Sequence, residues 1–233
     1  MVDVAHIIPP SPDDPPRRPS RVRPWHAAVS LMVAAAVGGG LWAWKPWQSV
    51  ELPEHACWSL LGKDDLKPLA GPDGTAREPV PSEHIETPMK SANAATRNDC
   101  VVWWSSGYLL DVNILPAWKG VDADRAADAE AGKVTPLDLG PGAVGWIGPP
   151  EEHFGPTARL YVRCDFEIRS DTGQTPPPYF GVRVTGDVID GTSPGKVRQA
   201  YADIALKVAR AAATAYECGN RVQLPAAVPG VPS

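Results

Sequence analysis

Four cysteines, Cys57, Cys100, Cys164 and Cys218, are the residues of this 233-residue chain best suited to covalent chemistry. The closest two stand 43 positions apart. Structural zinc sites use close pairs such as C-x2-C, so a four-cysteine metal site is not expected. An even count without close pairs reads as two disulfides, with three connectivities open. Histidine chemistry is poorer still. His55, His84 and His153 each have acidic neighbours, Glu54, Glu83, and Glu151 with Glu152. Neighbouring side chains on an extended chain point apart, so these read as solvated loop residues. The pairs Asp64-Asp65 and Glu151-Glu152 read as surface charge or helix starts. The chain has no H-E-x-x-H and no Walker loop. It matches the letters of G-x-S-x-G and S-x-x-K within Gly191–Lys196 and of G-x-G-x-x-G at Gly140–Gly145, short patterns that assign no chemistry by themselves. No catalytic residue, metal ligand or cofactor site is assigned, and the chain is expected not to be an enzyme. The aromatic set Trp58, Trp103, Trp104, Trp118 and Trp146 offers a different chemistry. Such rings can line a groove for a glycan or peptide, but filling the core of a small domain is the favoured reading. Adjacent Trp103 and Trp104 must face opposite sides of a strand.

The elements that carry the cysteines favour one pairing. In RLYVRCDFEIR, Leu160, Val162, Cys164, Phe166 and Ile168 share one face, and polar residues share the other. Alternation of this kind marks a strand with one buried face. From Lys196 to Glu217 the period becomes helical. Tyr201, Ile204, Ala205, Val208, Ala211, Ala212 and Ala215 form an apolar stripe, and Cys218 continues it. Gly219 is a suitable helix stop. Asp203 and Lys207 form an i,i+4 pair on the polar side. Cys164 and Cys218 therefore both point inward, which favours their bridge and leaves Cys57 for Cys100. Cys57, Leu60 and Leu61 share a face of a short helix, while Cys100, Val102 and Trp104 alternate on a strand.

The chain divides into four parts. Residues 1–24 hold seven prolines and few large apolar side chains, which predicts a disordered, Pro/Arg-rich cytoplasmic tail. Residues 25–47 read as a transmembrane helix. Positions 27–44 carry no charge and would span about 27 Å as a helix, near the ~30 Å hydrocarbon core. Trp25 stands at one end of it, and Trp42, Trp44 and Trp47 at the other, as interface residues. Arg17, Arg18, Arg21 and Arg23 precede the run and place the N-terminus inside. A cleaved signal peptide is the rival, but the run ends in Leu41-Trp42-Ala43-Trp44 without an A-x-A site. Residues 48–219 form an extracytoplasmic domain with the two disulfides. Residues 220–233, with Pro225, Pro229 and Pro232, read as a disordered tail.

Composition bounds the rest. Prolines number 27 and glycines 21, which argues against a helical bundle or a repeat solenoid. A formal charge of −5 argues against nucleic-acid binding. The element order is short helices at 56–69 and a hairpin, Cys100–Ser105 with Tyr108–Leu115. A weak helix at 122–131 follows, then strands near 143–147, 158–169 and 179–189, and a helix at 196–217. The expected fold is α+β, an antiparallel sheet with helices packed on one face, preceded by a single transmembrane helix.

The order CWSLLGKDDLKPLAG, CVVWW, YLLDVNIL and AVGWIG, then two long strands and an Ala-rich helix, resembles actinobacterial cell-envelope domains of unknown function. Such domains occur on lipoproteins and beside membrane anchors, and the pattern is similar to sensor-like extracytoplasmic domains of the same bacteria. The resemblance covers residues 55–218, lacks the lipoprotein cysteine and carries no catalytic residue. It implies an envelope location. The function expected is a non-catalytic, single-pass membrane-anchored binding or sensing module with a protein or envelope-glycan partner. A structural subunit of a membrane complex is the second reading. An unrecognised cell-wall hydrolase is the third.

Overall fold

A computed structural model describes residues 29–33, 35–36, 49–81, 83–86, 97–105, 107–117, 121–150, 154–166 and 178–231. Two compact units divide between Trp47 and Gln48, and each is taken by itself.

In the first unit, residues 29–33 and 35–36 are helical. At about 1.5 Å per residue this stretch rises only about 12 Å, well short of a ~30 Å hydrocarbon core. Among the described residues no helix is long and apolar enough to cross a membrane, which corrects the transmembrane helix expected over 25–47. The membrane as partner, the cytoplasmic N-terminus, the membrane location, the extracytoplasmic placement and the single-pass envelope role all rested on that span. They are corrected with it. Trp25, Trp42, Trp44, Trp47, Arg17, Arg18, Arg21 and Arg23 lie outside the described residues.

The second unit is built on an eight-stranded sheet of order β1-β2-β3-β4-β8-β7-β6-β5. Its strands are β1 (Val50–Glu51), β2 (Gly74–Arg77), β3 (Asn98–Trp104), β4 (Gly107–Ala117), β5 (Thr135–Leu137), β6 (Ala143–Pro150), β7 (Pro156–Arg163) and β8 (Tyr179–Thr185). The helices are α1 (Lys63–Leu66), α2 (Val121–Ala131) and α3 (Pro194–Ala215). β1 and β2 pair in parallel, and every other neighbouring pair is antiparallel. The sheet is thus mixed rather than purely antiparallel. Two meanders, β2-β3-β4 and β5-β6-β7-β8, join where β4 pairs with β8. The edge strands have two and three residues, which leaves little open backbone for a foreign strand.

Strand alternation sorts the two faces. Cys100, Val102 and Trp104 of β3, Val112 and Ile114 of β4, Phe180, Val182 and Val184 of β8, and Ala158, Leu160 and Val162 of β7 are all buried. They form one face of the core. A bulge adds to it. Val102 pairs with Leu110 and Trp103 with Tyr108, so Leu109 has no counterpart. The extra residue lets Leu109 and Leu110 both be buried.

α3 covers this face. Tyr201, Ile204, Ala205, Val208 and Ala212 are buried, as the helical stripe predicts. Ala202, Leu206 and Ala209 are buried as well, so the helix is enclosed on more than one side. Part of that cover comes from α1, where the Lys207 ammonium stands 2.7 Å from Asp65 Oδ2. Lys207 therefore pairs across elements and not with Asp203, which accepts from Gln199 instead. More cover comes from the chain after α3. Val228 is buried, and Val231 N–H donates to Gln199 Oε1 at 2.7 Å. The helix ends at a left-handed Glu217 (φ 48°), two residues before the expected glycine.

The cysteines form the bridges Cys57–Cys100 and Cys164–Cys218. The region 56–61 is not the expected helix. Cys57, Trp58 and Ser59 take φ of 47°, 60° and 59°, a left-handed turn. It is closed by Leu60 N–H to Cys57 O and by the Ala56–Leu61 pairing. Left-handed backbone costs a non-glycine residue about 1–2 kcal/mol, and here a disulfide and the burial of Trp58 hold it.

Helices do not all pack on one face. α2 lies over the opposite, outer face, above β6 and β7, and that arrangement builds the candidate site.

Candidate functional site

The outer face is polar, and its register lines the polar groups up. Asp99 pairs with Asn113, Asn113 with Arg183, Arg183 with Arg159, and Arg159 with Trp146, on β3, β4, β8, β7 and β6 in turn. The next row is Leu115, Gly181, Tyr161 and Val144. Arg159 and Arg183 therefore stand directly opposite each other, an arrangement that destabilises a sheet unless something offsets the repulsion.

Carboxylates supply that offset. Arg159 Nε donates to Asp128 Oδ2 at 2.9 Å, and the Trp146 indole N–H donates to the same oxygen at 2.6 Å. Tyr161 O–H donates to Asp124. Asp124 and Asp128 are one helical turn apart, so both project from one side of α2. The helix itself buries no residue. Its described hydrogen bonds to the sheet come from these two carboxylates alone among its side chains, so polar contacts dock it. The helix carboxylate also needs room. A Cβ on Gly148 would sit 2.9 Å from Asp128 Oδ2, so this strand position must lack a side chain for the carboxylate to reach Trp146.

Beside α2 lies a cleft of about 260 Å³. Leu115, Pro116 and Ala117 of β4 form an apolar wall. Asp124, Arg159, Tyr161 and Arg183 form the polar side. Gly181 is the floor, where a Cβ would meet the Tyr161 ring at 3.1 Å. Burial and the bond to Asp124 push the Tyr161 hydroxyl well above its ordinary range, so it stays protonated and acts as a fixed donor. Tyr161 also stacks on Trp146, centroids 5.5 Å apart.

On β4 the Asp111 carboxyl is raised above its usual range, mainly by burial. The bond from Asn113 and the charge of Arg183 oppose that rise. Asn113 Nδ2 donates to Asp111 Oδ1 at 2.7 Å, and Arg97 Nε donates to Asp99 Oδ1 at 2.6 Å. Together these groups carry the polar row from the cleft to β3.

The residues singled out from the sequence fall elsewhere. Cys57, Cys100, Cys164 and Cys218 are structural bridges on the core side or at its border. Trp58 and Trp104 are buried in the core, as the core reading expects, whereas Trp146 is buried on the outer face beneath α2. Trp103 is half-buried on the outer face and packs on Tyr108, centroids 4.5 Å apart, with Phe154 beyond. His55 and His84 are exposed, and Glu54 accepts from Lys63 at 3.1 Å. His153, Glu151, Glu152 and Trp118 lie outside the described residues. Among the described residues no group of three His, Cys, Asp or Glu side chains is placed to hold a metal.

Sequence reasoning missed Asp124, Asp128, Arg159 and Arg183. Two signals were present. Asp124 and Asp128 share an i,i+4 spacing on a helix with no apolar stripe, and Arg159, Tyr161 and Arg163 alternate on the polar side of a strong strand. No protein-family model, curated protein or solved structure matches this chain, so the likeness to envelope domains rests on element order and sequence texture alone.

Proposed function

We propose that residues 49–231 form a non-catalytic binding domain that takes a small ligand with an acidic group and an apolar body in the cleft between α2 and β4. The observation that carries this reading is the placement of Arg159 opposite Arg183 beside an apolar wall on a glycine floor. Asp128 offsets the charge of Arg159, and a ligand carboxylate would add to that offset across the facing pair. Two planar guanidinium groups at one edge of a cleft suit a carboxylate, and Leu115, Pro116 and Ala117 suit its apolar body. The volume of about 260 Å³ limits the ligand to a small molecule or the end of a larger one. The non-catalytic reading is supported by how the polar groups are used. Tyr161 is committed to Asp124, and Asp128 accepts two donors, so both serve as fixtures of the cleft wall.

Benzoate and its neutral isostere benzamide test the proposal on the full chain by ¹H–¹⁵N NMR titration. Benzoate is expected to shift the amides of Leu115, Ala117 and Gly181 and to bind at least fivefold more tightly than benzamide. Ala117→Phe, which fills the cleft from the apolar wall, is expected to abolish those shifts. If neither probe moves these amides at millimolar concentration, the binding reading fails. If benzamide binds as well as benzoate, the acidic-group assignment fails while the cleft stands.

A further inference from the structure

A second surface carries a charge pattern that the outer-face cleft does not explain. A groove of about 770 Å³ runs between the C-terminal half of α3 and residues 218–224. Its charged lining residues are Lys207, Arg210 and Arg221, and no Asp or Glu lines it. In a chain of net charge −5 this is a local reversal of sign. Lys207, Arg210 and Thr214 follow helical spacing along one stripe of α3, and Arg221 faces them from the opposite wall. Lys207 is partly neutralised by Asp65 at 2.7 Å. Arg210 and Arg221 are exposed and form no ion pair among the described residues.

The far wall is built before any ligand arrives. The Cys164–Cys218 bridge ties the end of α3 to the chain beyond β7. Gly219 N–H donates to Asp165 O at 2.8 Å. The Asn220 side chain closes the corner, accepting from Asp165 N–H at 2.6 Å and donating to Arg163 O at 2.9 Å. A wall held this way loses little entropy on binding.

We propose that this groove binds a small multivalent anion, carrying phosphate or carboxylate groups, through Arg210 and Arg221 with Lys207 in support. Charge complementarity selects the ligand, since neutral or cationic molecules gain nothing from a groove lined by Arg210, Arg221 and the part-neutralised Lys207. Screening by salt follows directly, because the cations are solvent-facing.

The test is a titration of the full chain with sodium tripolyphosphate and, separately, with citrate, each compared with sodium chloride at equal ionic strength. Amide shifts are expected within 207–224 and not in the outer-face cleft. Preference for tripolyphosphate assigns phosphate groups, and preference for citrate assigns carboxylates. The double variant Arg210→Gln/Arg221→Gln is expected to weaken binding at least tenfold with its melting temperature unchanged, since both side chains are exposed. Lys196→Gln, an exposed cation at the other end of α3, is expected to bind within twofold of wild type. The proposal is overturned if neither anion shifts 207–224 beyond the sodium chloride control. It is also overturned if the double variant binds within twofold of wild type.

Discussion

Asp128→Ala is the most informative perturbation of the outer face, because one carboxylate oxygen serves two donors there. Trp146 is fully buried, and its indole N–H donates to Asp128 Oδ2 at 2.6 Å. Removing the acceptor leaves a buried donor unsatisfied, at about 1–3 kcal/mol. Arg159 loses a partner at 2.9 Å, with side-chain exposures of 21% and 15% for the pair. Breaking a fully buried pair costs about 3–5 kcal/mol. Arg159 is partly hydrated and keeps other interactions, so about 1 kcal/mol is the fairer share here. The total is about 2–4 kcal/mol. For a domain of this size that lowers the melting temperature by about 5–15 °C. A local effect accompanies the global one. α2 buries no residue, so with Asp128 gone only Tyr161–Asp124 remains of its described side-chain bonds to the sheet. Amide exchange across 121–131 is expected to rise before the core opens. Asp128→Asn keeps an acceptor for the indole and is expected to cost about half as much. The measurements are urea denaturation followed by circular dichroism, and hydrogen exchange resolved by mass spectrometry. A loss below about 0.5 kcal/mol with unchanged exchange in 121–131 would refute the claim that this carboxylate docks the helix.

Three further outcomes follow from the same structure. Replacing Cys57 and Cys100, or Cys164 and Cys218, by serine removes loops of 43 or 54 residues, worth about 4 kcal/mol each by loop entropy. Each double variant should show a lower urea midpoint, and a midpoint equal to wild type would contradict the cross-link role. Ser59 has an exposed side chain and a left-handed backbone at φ 59°, so Ser59→Gly is expected to raise stability by about 0.5–1 kcal/mol, read as a higher melting temperature. Asp111 has a folded-state carboxyl raised above its unfolded value, chiefly by burial, so folding is favoured when it is protonated. That contribution is complete below the unfolded carboxylate value near pH 4 and is lost as pH rises through the folded value. Asp111→Asn is therefore expected to be more stable than wild type at pH 7 and to lose that advantage at low pH. Denaturation midpoints across the pH series check it, and an advantage that grows as pH falls would reverse the sign.

Much of the core was legible because burial imposes a period. Leu160 and Val162 alternate as a half-buried strand must, and Ile204, Ala205 and Val208 recur as a helix face must. That phase also turned Cys164 and Cys218 inward and paired them. Local pattern failed where tertiary contact overrode it. CWSLL reads as helix, but the Cys57–Cys100 bridge and the buried Trp58 hold three residues left-handed. The apolar run at 27–44 met the length expected of a span, yet the described helical stretch within it is short. The proline-rich end after α3 gave no sign that Val228 would be buried, because the helix residue it meets, Gln199, stands 29 positions earlier in the chain.

The sequence by itself determined the α+β class, the strand and helix faces and the inward phase of the cysteines, because each depends on side-chain alternation over a few residues. Only the tertiary structure decided that β4 would lie beside β8 and that α2 would sit on the outer face. Those two facts bring Arg159, Arg183, Tyr161 and Asp124 from separate elements to one cleft. The physical reason is range. Periodicity reports which side of an element is buried, whereas a binding site depends on which elements become neighbours, and that follows from long-range pairing and hydrogen bonds such as the one from Trp146 to Asp128.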